Sequence, residues 1–492
     1  MTPDPFGPLG RAGFKGGLTL SLHEWGASGV QGHVSAQAAI SSSHTPGYAT
    51  GFAVPRASVP PRPALVSLPS PGLATPVPTG DPRAGSRDGP LRGQRLCSLL
   101  AATAHAHPQR IALLDPPGKL RRSGRPSITW TYAAAAEIVA RLANGLRSWR
   151  LPAESRIGIA LPDGVEGALA LLAVEAAGHV PALLPAALDE DGLVVAVQAA
   201  GISAVLTQAR FGATHPAERL RRVAARYFGL RYLAAFGPDV PDGVINLDAM
   251  VLDQSGGPFA PGPGGIVSFA GGDPARPMHR SVEALTAAIA VHGLAGRMTP
   301  GERLLTLLPG TDLRGLVTGL GAALAAGASF EALPMFEAAS FADALARPVA
   351  THLVVPAALE ANLAASHLPT TLAGLVLVHR APTRFPGRRL SARPDTAPVI
   401  DVVAFAETAL LTGARRDGDV ALILAAPERA PPRSTLMNLR RDPGGALAFR
   451  GLACHAAPLQ RGIPQPDFTD IWLASPFHAP VEGARAVGVS DG

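Results

Sequence analysis

Ser155-Arg156-Ile157-Gly158-Ile159-Ala160-Leu161-Pro162, then Leu171-Leu172-Ala173-Val174-Glu175-Ala176-Ala177-Gly178, then Val180-Pro181-Ala182-Leu183-Leu184-Pro185 decide the fold class. Ile157–Leu161 is a short apolar run stopped by a proline, which reads as a buried strand. Val165–Ala177 reads as a helix, Val180–Leu184 as a second strand, Asp191–Ala200 as a helix and Ala204–Thr207 as a third strand. Strands alternating with helices imply a parallel sheet with helices on its faces. Upstream, Leu96–His107 has helical spacing, Ile111–Asp115 is a short apolar strand, and Ser127–Tyr132 alternates like one. In Ala133–Trp149, the residues Ile138, Leu142, Leu146 and Trp149 recur on one helix face. Downstream the strand pattern resumes at Gly265–Phe269, Leu304–Leu308, His352–Val355, Leu375–Val378 and Val399–Val403. The expectation is an α/β protein of two layered subdomains with mostly parallel sheets.

Composition bounds the function. The chain has 492 residues, 47% of them hydrophobic, enough for a large core. Its 43 basic residues exceed 37 acidic ones by six, and only Lys15 and Lys119 are lysines. A pI near 10.0 thus reflects arginines that do not titrate, so no nucleic-acid partner is expected. Two distant cysteines, Cys97 and Cys454, exclude a disulfide framework and a thiolate zinc site. His105 and His107 are the only close histidine pair, and no zinc-protease motif accompanies them. The longest apolar run, Leu316 to Phe330, is shorter than the ~20 residues of a membrane span. With no secretory signal pattern at the N-terminus, a cytoplasmic protein is expected.

Residues 1–90 contain 14 prolines and 14 glycines and no sustained period, which reads as a disordered leader. The expected division is a leader over 1–94, an α/β domain over 95–450, and over 451–492 a remnant of that domain's C-terminal edge. The basic stretch Glu218–Phe228 has helical spacing and reads as a solvated face.

Taken in order, the segments from Tyr132 to Thr207 resemble the N-terminal portion of the AMP-dependent synthetase and ligase superfamily, the adenylate-forming acyl-CoA synthetases. The resemblance runs from about residue 96 to the end of the sequence. It implies ATP and Mg²⁺ as cofactors and a small carboxylate or acyl group as substrate. Such enzymes join the carboxylate to the α-phosphate of ATP and then pass the acyl group to a thiol.

Read against the family's motifs, the chemistry is altered. Phe269-Ala270-Gly271-Gly272-Asp273-Pro274-Ala275-Arg276-Pro277-Met278 stands where a Ser/Thr/Gly-rich phosphate loop ends in Pro-Lys. Met278 takes the lysine's place, Asp273 opposes phosphate, and Arg276 supplies a positive charge, so a plain glycine turn is the competing reading. In Leu308-Pro309-Gly310-Thr311-Asp312-Leu313-Arg314-Gly315, Asp312 replaces a pocket histidine. His379-Arg380-Ala381-Pro382 puts two bulky residues where small ones lie against adenine, with Ala381 fitting the pattern. In Val403-Ala404-Phe405-Ala406-Glu407, valine and two alanines replace the Tyr, Gly and Thr of the family, while Glu407 remains. Phe477 takes the place of the ribose-gripping aspartate, and Val489 that of a hinge arginine.

The resemblance therefore puts Gly271, Gly272, Arg276, Ala381 and Ala406 at nucleotide-facing positions, Asp312 in the substrate pocket, and Glu407 at the catalytic and Mg²⁺ position. Glu407 also reads as an acid at a helix N-terminus. It further implies a mobile lid domain after Asp491, absent from the sequence, and no lysine follows Lys119 to act for the lid's own. Three readings stand: an impaired acid-CoA ligase, an inactive relative that binds an acyl group, nucleotide or partner protein, and a split enzyme with its lid on a separate chain. These segments are expected to line one cleft at the strand ends.

Overall fold

Apolar runs without alternation become inner strands, because a strand covered by helices on both faces has no polar side. The first sheet has the order Ala457–Pro458, Pro277–Arg280, Ile266–Phe269, Val180–Leu183, Arg156–Ile159, Ile202–Gln208, Tyr232–Phe236, Ile245–Asn246. It is parallel from Ile266–Phe269 outward and antiparallel at the Pro277–Arg280 end. The second has the order Ala409–Ala414, Val399–Phe405, Leu372–Arg380, Thr351–Pro356, Arg303–Thr306, Ser329–Ala332, Ile111–Leu114, Thr129–Thr131. Only its two outermost strands run antiparallel to their neighbours. The computed structural model describes residues 94–492, apart from 163, 263, 334–335, 386–389, 391–396, 416–435, 443, 460–470, 480, 483–484, 487 and 492. The leader expected over 1–94 thus lies, but for residue 94, outside the described residues.

One core cluster ties both sheets together. It takes Leu96 and Leu100 from the helix Leu96–Ala106, Leu142 and Leu146 from Tyr132–Ser148, and Leu285 from Val282–Gly296. Helix Val165–Ala176 is buried along nearly its whole length, with no polar stripe, as a helix between two layers must be. The two expected α/β layers and their mostly parallel sheets are present.

A third, wholly antiparallel sheet was not foreseen. Its order is Thr383–Arg384, Gly488–Asp491, Leu473–His478, Ala446–Arg450, Asn438–Arg441. Ala448 pairs with Ala474 there, so this sheet spans residues 450 and 451.

Two local readings need correction. The strand expected over Ser127–Tyr132 is only Thr129–Thr131, because the Thr131 hydroxyl accepts the Ala134 N–H (3.2 Å) and starts the helix. No helix begins at Glu407. Thr408 N–H closes a turn onto the Phe405 carbonyl (3.0 Å), and Ala409–Ala414 returns as a strand.

Among the described residues, no helix is long and apolar enough to cross a membrane. The basic helix Pro216–Arg226 pairs with acids: Arg221 with Glu218 (3.0 Å), Arg222 with Glu190 (2.7 Å) and Arg226 with Asp191 (2.7 Å).

Candidate functional site

Glu407 sits in the turn joining two strands of the second sheet, and its carboxyl group points inward, only 6% exposed. Ser268 Oγ, from the first sheet, donates to Glu407 Oε2 at 2.6 Å. The Leu313 N–H donates to the same oxygen at 3.2 Å. Buried Arg280 fixes the turn from behind, donating to the Glu407 carbonyl (2.7 Å), the Thr408 carbonyl (3.1 Å) and the Ala453 carbonyl (2.7 Å). Burial, with the charge of Asp312 added, pushes the Glu407 carboxyl up to about 7. Ala406 pays a conformational cost beside it, with φ of 49° in the left-handed region.

Asp312 caps the short helix Leu313–Gly315. Its Oδ1 accepts the Gly315 N–H (3.0 Å), and its Oδ2 accepts from Arg314 Nε (2.9 Å) and Nη2. Gly315 is obligatory here, since a Cβ would stand 1.7 Å from the Pro309 carbonyl oxygen. Asp312 and Glu407 are thus brought to the two ends of one peptide segment.

The glycine loop closes mainly on itself. Ala270 N–H donates to the Arg276 carbonyl (3.0 Å), and Asp273 Oδ1 accepts the Ala275 N–H (2.9 Å), so the acid serves the turn. Gly271 has φ of 66°, a conformation glycine adopts without strain. Arg276 is exposed on the loop. Arg380, at the end of Leu372–Arg380, donates from Nη2 to the Gly271 carbonyl at 3.0 Å, which joins the loop to the second sheet.

His379 turns the other way. Its Nε2 lies 3.2 Å from Asp401 Oδ1, and its ring meets Phe385 edge-on. Asp401 and Glu360 both hold the buried Arg415 guanidinium, Asp401 Oδ1 at 2.6 Å and Glu360 Oε1 at 2.5 Å. Burial opposes the charge of Asp401, but hydrogen bonds from His379 and Arg415 hold its carboxyl below the usual range.

The remaining motif positions share one apolar cluster. Ala381, Val403, Phe477 and Val489 are buried there together with Phe405 and Phe449. The Phe405 ring centre is 4.7 Å from that of Phe449 and 5.7 Å from that of Phe477. Ala406 packs on its edge.

A part-open cleft enclosing about 40 Å³ is lined in part by Gly310, Thr311 and Gly315, which flank Asp312 in the sequence. Its lining includes Leu161, Ala168, Leu171, Thr306, Leu320 and Phe330. Leu320 follows a kink at Gly319, whose φ of −107° and ψ of −109° are not helical. Gly310 and Thr311 reach the cleft. Asp312, Glu407, the glycine loop and Arg380 are not among its lining residues.

Sequence reading missed Ser268, Arg280 and the Asp401–Arg415–Glu360 group. A lone serine inside the apolar strand Ile266–Phe269 was the available signal.

Residues 100–232 match the family described as AMP-binding enzyme. No curated protein sequence matches the chain. Among solved structures, a candidate long-chain-fatty-acid CoA ligase from Rhodopseudomonas palustris is 18% identical, with TM-score 0.62, over 82% of this chain and 100% of that one. MbtA from Mycobacterium smegmatis is 20% identical, with TM-score 0.58, over 81% of this chain and 76% of its own. O-succinylbenzoate coenzyme A synthetase (MenE) from Bacillus subtilis, in complex with ATP and magnesium ion, is 14% identical, with TM-score 0.57, over 81% and 100%. At these identities the likeness is one of fold.

Proposed function

We propose that this chain, of the AMP-dependent synthetase superfamily by its matched segment and with the fold of acyl-CoA synthetase N-terminal domains, binds an acyl group in its cleft and does not adenylate it. The observation that carries this reading is the apolar cluster. Val403, Phe477 and Val489 take the places that the resemblance gives to the adenine-stacking, ribose-holding and hinge residues, and all three are core side chains. Aromatic rings fill the space around them.

The fit to Mg²⁺ and ATP is poor at the other positions too. Glu407 spends its carboxyl on Ser268 and Leu313, and raised proton affinity opposes the charged form that a Mg²⁺ ligand needs. Asp273 puts a negative charge on the loop that would meet phosphates. Arg276 and Arg380 are the cations on that side, and Arg380 is engaged with the Gly271 carbonyl. No step through the nucleotide follows from these residues.

The cleft supports the binding half of the reading. It is concave and lined by apolar side chains and two threonines.

ATP–pyrophosphate exchange over a panel of carboxylic acids tests the proposal. The expected result is no exchange above background with any acid. Exchange dependent on one acid would favour the ligase reading, and exchange that appears only when a second chain is added would favour the split enzyme.

A further inference from the structure

We infer that the edge of the third sheet takes an acidic, extended segment of a partner protein, added as a strand along Asn438–Arg441 with its carboxylates on the Arg440 side. The inference stands apart from the acyl-binding reading and uses none of the cleft.

The edge comes first. Asn438–Arg441 is the outermost strand of that sheet, and among the described residues it pairs with Ala446–Arg450 alone. An outer strand carries N–H and C=O groups along its second side, a template for another extended chain. Leu447 and Phe449 are buried in the apolar cluster on one face of the sheet, and Leu439 packs against the same cluster. Side chains alternate along a strand, so Arg440, Ala448 and Arg450 stand on the opposite face. Arg440 pairs with Ala448 across the strands, and Ala448 with Ala474, so the centre of that face holds only methyl groups.

The charge comes second. The guanidinium carbon of Arg440 lies 4.7 Å from the centre of the Trp472 ring, and that of Arg450 lies 4.9 Å from it. Cation–π attraction to one indole thus gathers two cations from different strands. It also restrains both side chains, which lowers the entropy they lose on meeting a partner. A guanidinium laid over a ring still presents its N–H edges to a carboxylate. Elsewhere the chain neutralises such arginines itself: on the helix Pro216–Arg226, Arg221, Arg222 and Arg226 each meet an acid. Arg440 is exposed, and among the described residues no carboxylate pairs with it. The one acid of its hairpin, Asp442, accepts the Ala446 N–H with Oδ1 (2.8 Å).

These features favour carboxylates over nucleic acid. Single strands bind to sheets by stacking bases on open aromatic rings, and here two guanidiniums already lie over the indole. On an added strand, acids at alternate positions would all face the Arg440 side, where planar, charge-assisted pairing is available.

Fluorescence anisotropy of the full chain with a dye-labelled peptide of alternating glutamate and threonine tests this. Saturable binding is expected, with amide hydrogen exchange slowed at 438–441. Arg440→Gln should weaken binding at least about tenfold. Arg221→Gln, which removes the same charge from the helix Pro216–Arg226, should leave it unchanged. No saturation up to about 1 mM peptide, or an equal loss in both variants, would overturn the inference. So would binding that leaves exchange at 438–441 unaltered. Tighter binding of an oligothymidylate of equal length would make the face a nucleic-acid surface and overturn the assignment to an acidic segment. Should Arg440→Gln not fold, exchange on the natural chain decides alone.

Discussion

Two apolar regions flank the Asp312–Glu407 junction, and one is open while the other is filled. On one side the cleft is bordered by Ala168, Leu320 and Phe330. On the other, Phe405, Phe449 and Phe477 close together with Val403 and Val489. Side chains that meet gain dispersion contacts, whereas those facing a void lose them. One region is thus packed by three phenylalanines, and the acyl-binding role proposed for the other rests on its being open.

The contrast breaks most directly at the filled side. Phe449→Ala should destabilise the chain by ~3–5 kcal/mol, since the ring is wholly buried against that of Phe405. Denaturant unfolding measures it, and a loss under ~1 kcal/mol would mean that the cluster is not core.

The junction between the two regions gives a pH signature. The folded-state pKa of Glu407 lies above its unfolded value, so its contribution to stability is fully present below about pH 4.5 and is lost as pH rises through about 7. Glu407→Gln imitates the protonated form and should remove that part of the decline. At about pH 8 the variant should melt roughly 2–4 °C above the natural chain, with little difference at pH 4.5. Equal melting at both pH values would show that the carboxyl is not held as described.

The smallest effect tests the turn itself. Ala406→Gly relieves a left-handed residue and should stabilise by ~0.5–1 kcal/mol, the strain relieved exceeding the entropy added to the unfolded chain. A loss of stability would contradict the strained turn.

The two α/β layers were legible in the sequence because strands such as Ile157–Leu161 and Val180–Leu184 are continuous apolar runs, and few other structures use such runs. The third sheet was not. Asn438–Arg441 is polar, Leu473–His478 contains a proline, and Thr383–Arg384 pairs with residues more than a hundred positions away. Glu407 was legible as a candidate through its motif. Its partners were not, since Ser268 lies 139 residues away and Leu313 contributes only a backbone N–H. The inward turn of His379 depended on Asp401, which no local spacing reveals.

The central claim is that the nucleotide half of the site is filled. Val403, Phe477 and Asp273 each deprive ATP of a partner, and at ~1–3 kcal/mol each the three losses weaken binding at least roughly a hundredfold. Isothermal titration of the full chain with Mg-ATP measures this most directly. The account predicts no saturable binding up to about 1 mM nucleotide. A saturating isotherm with a dissociation constant in the low micromolar range would contradict it.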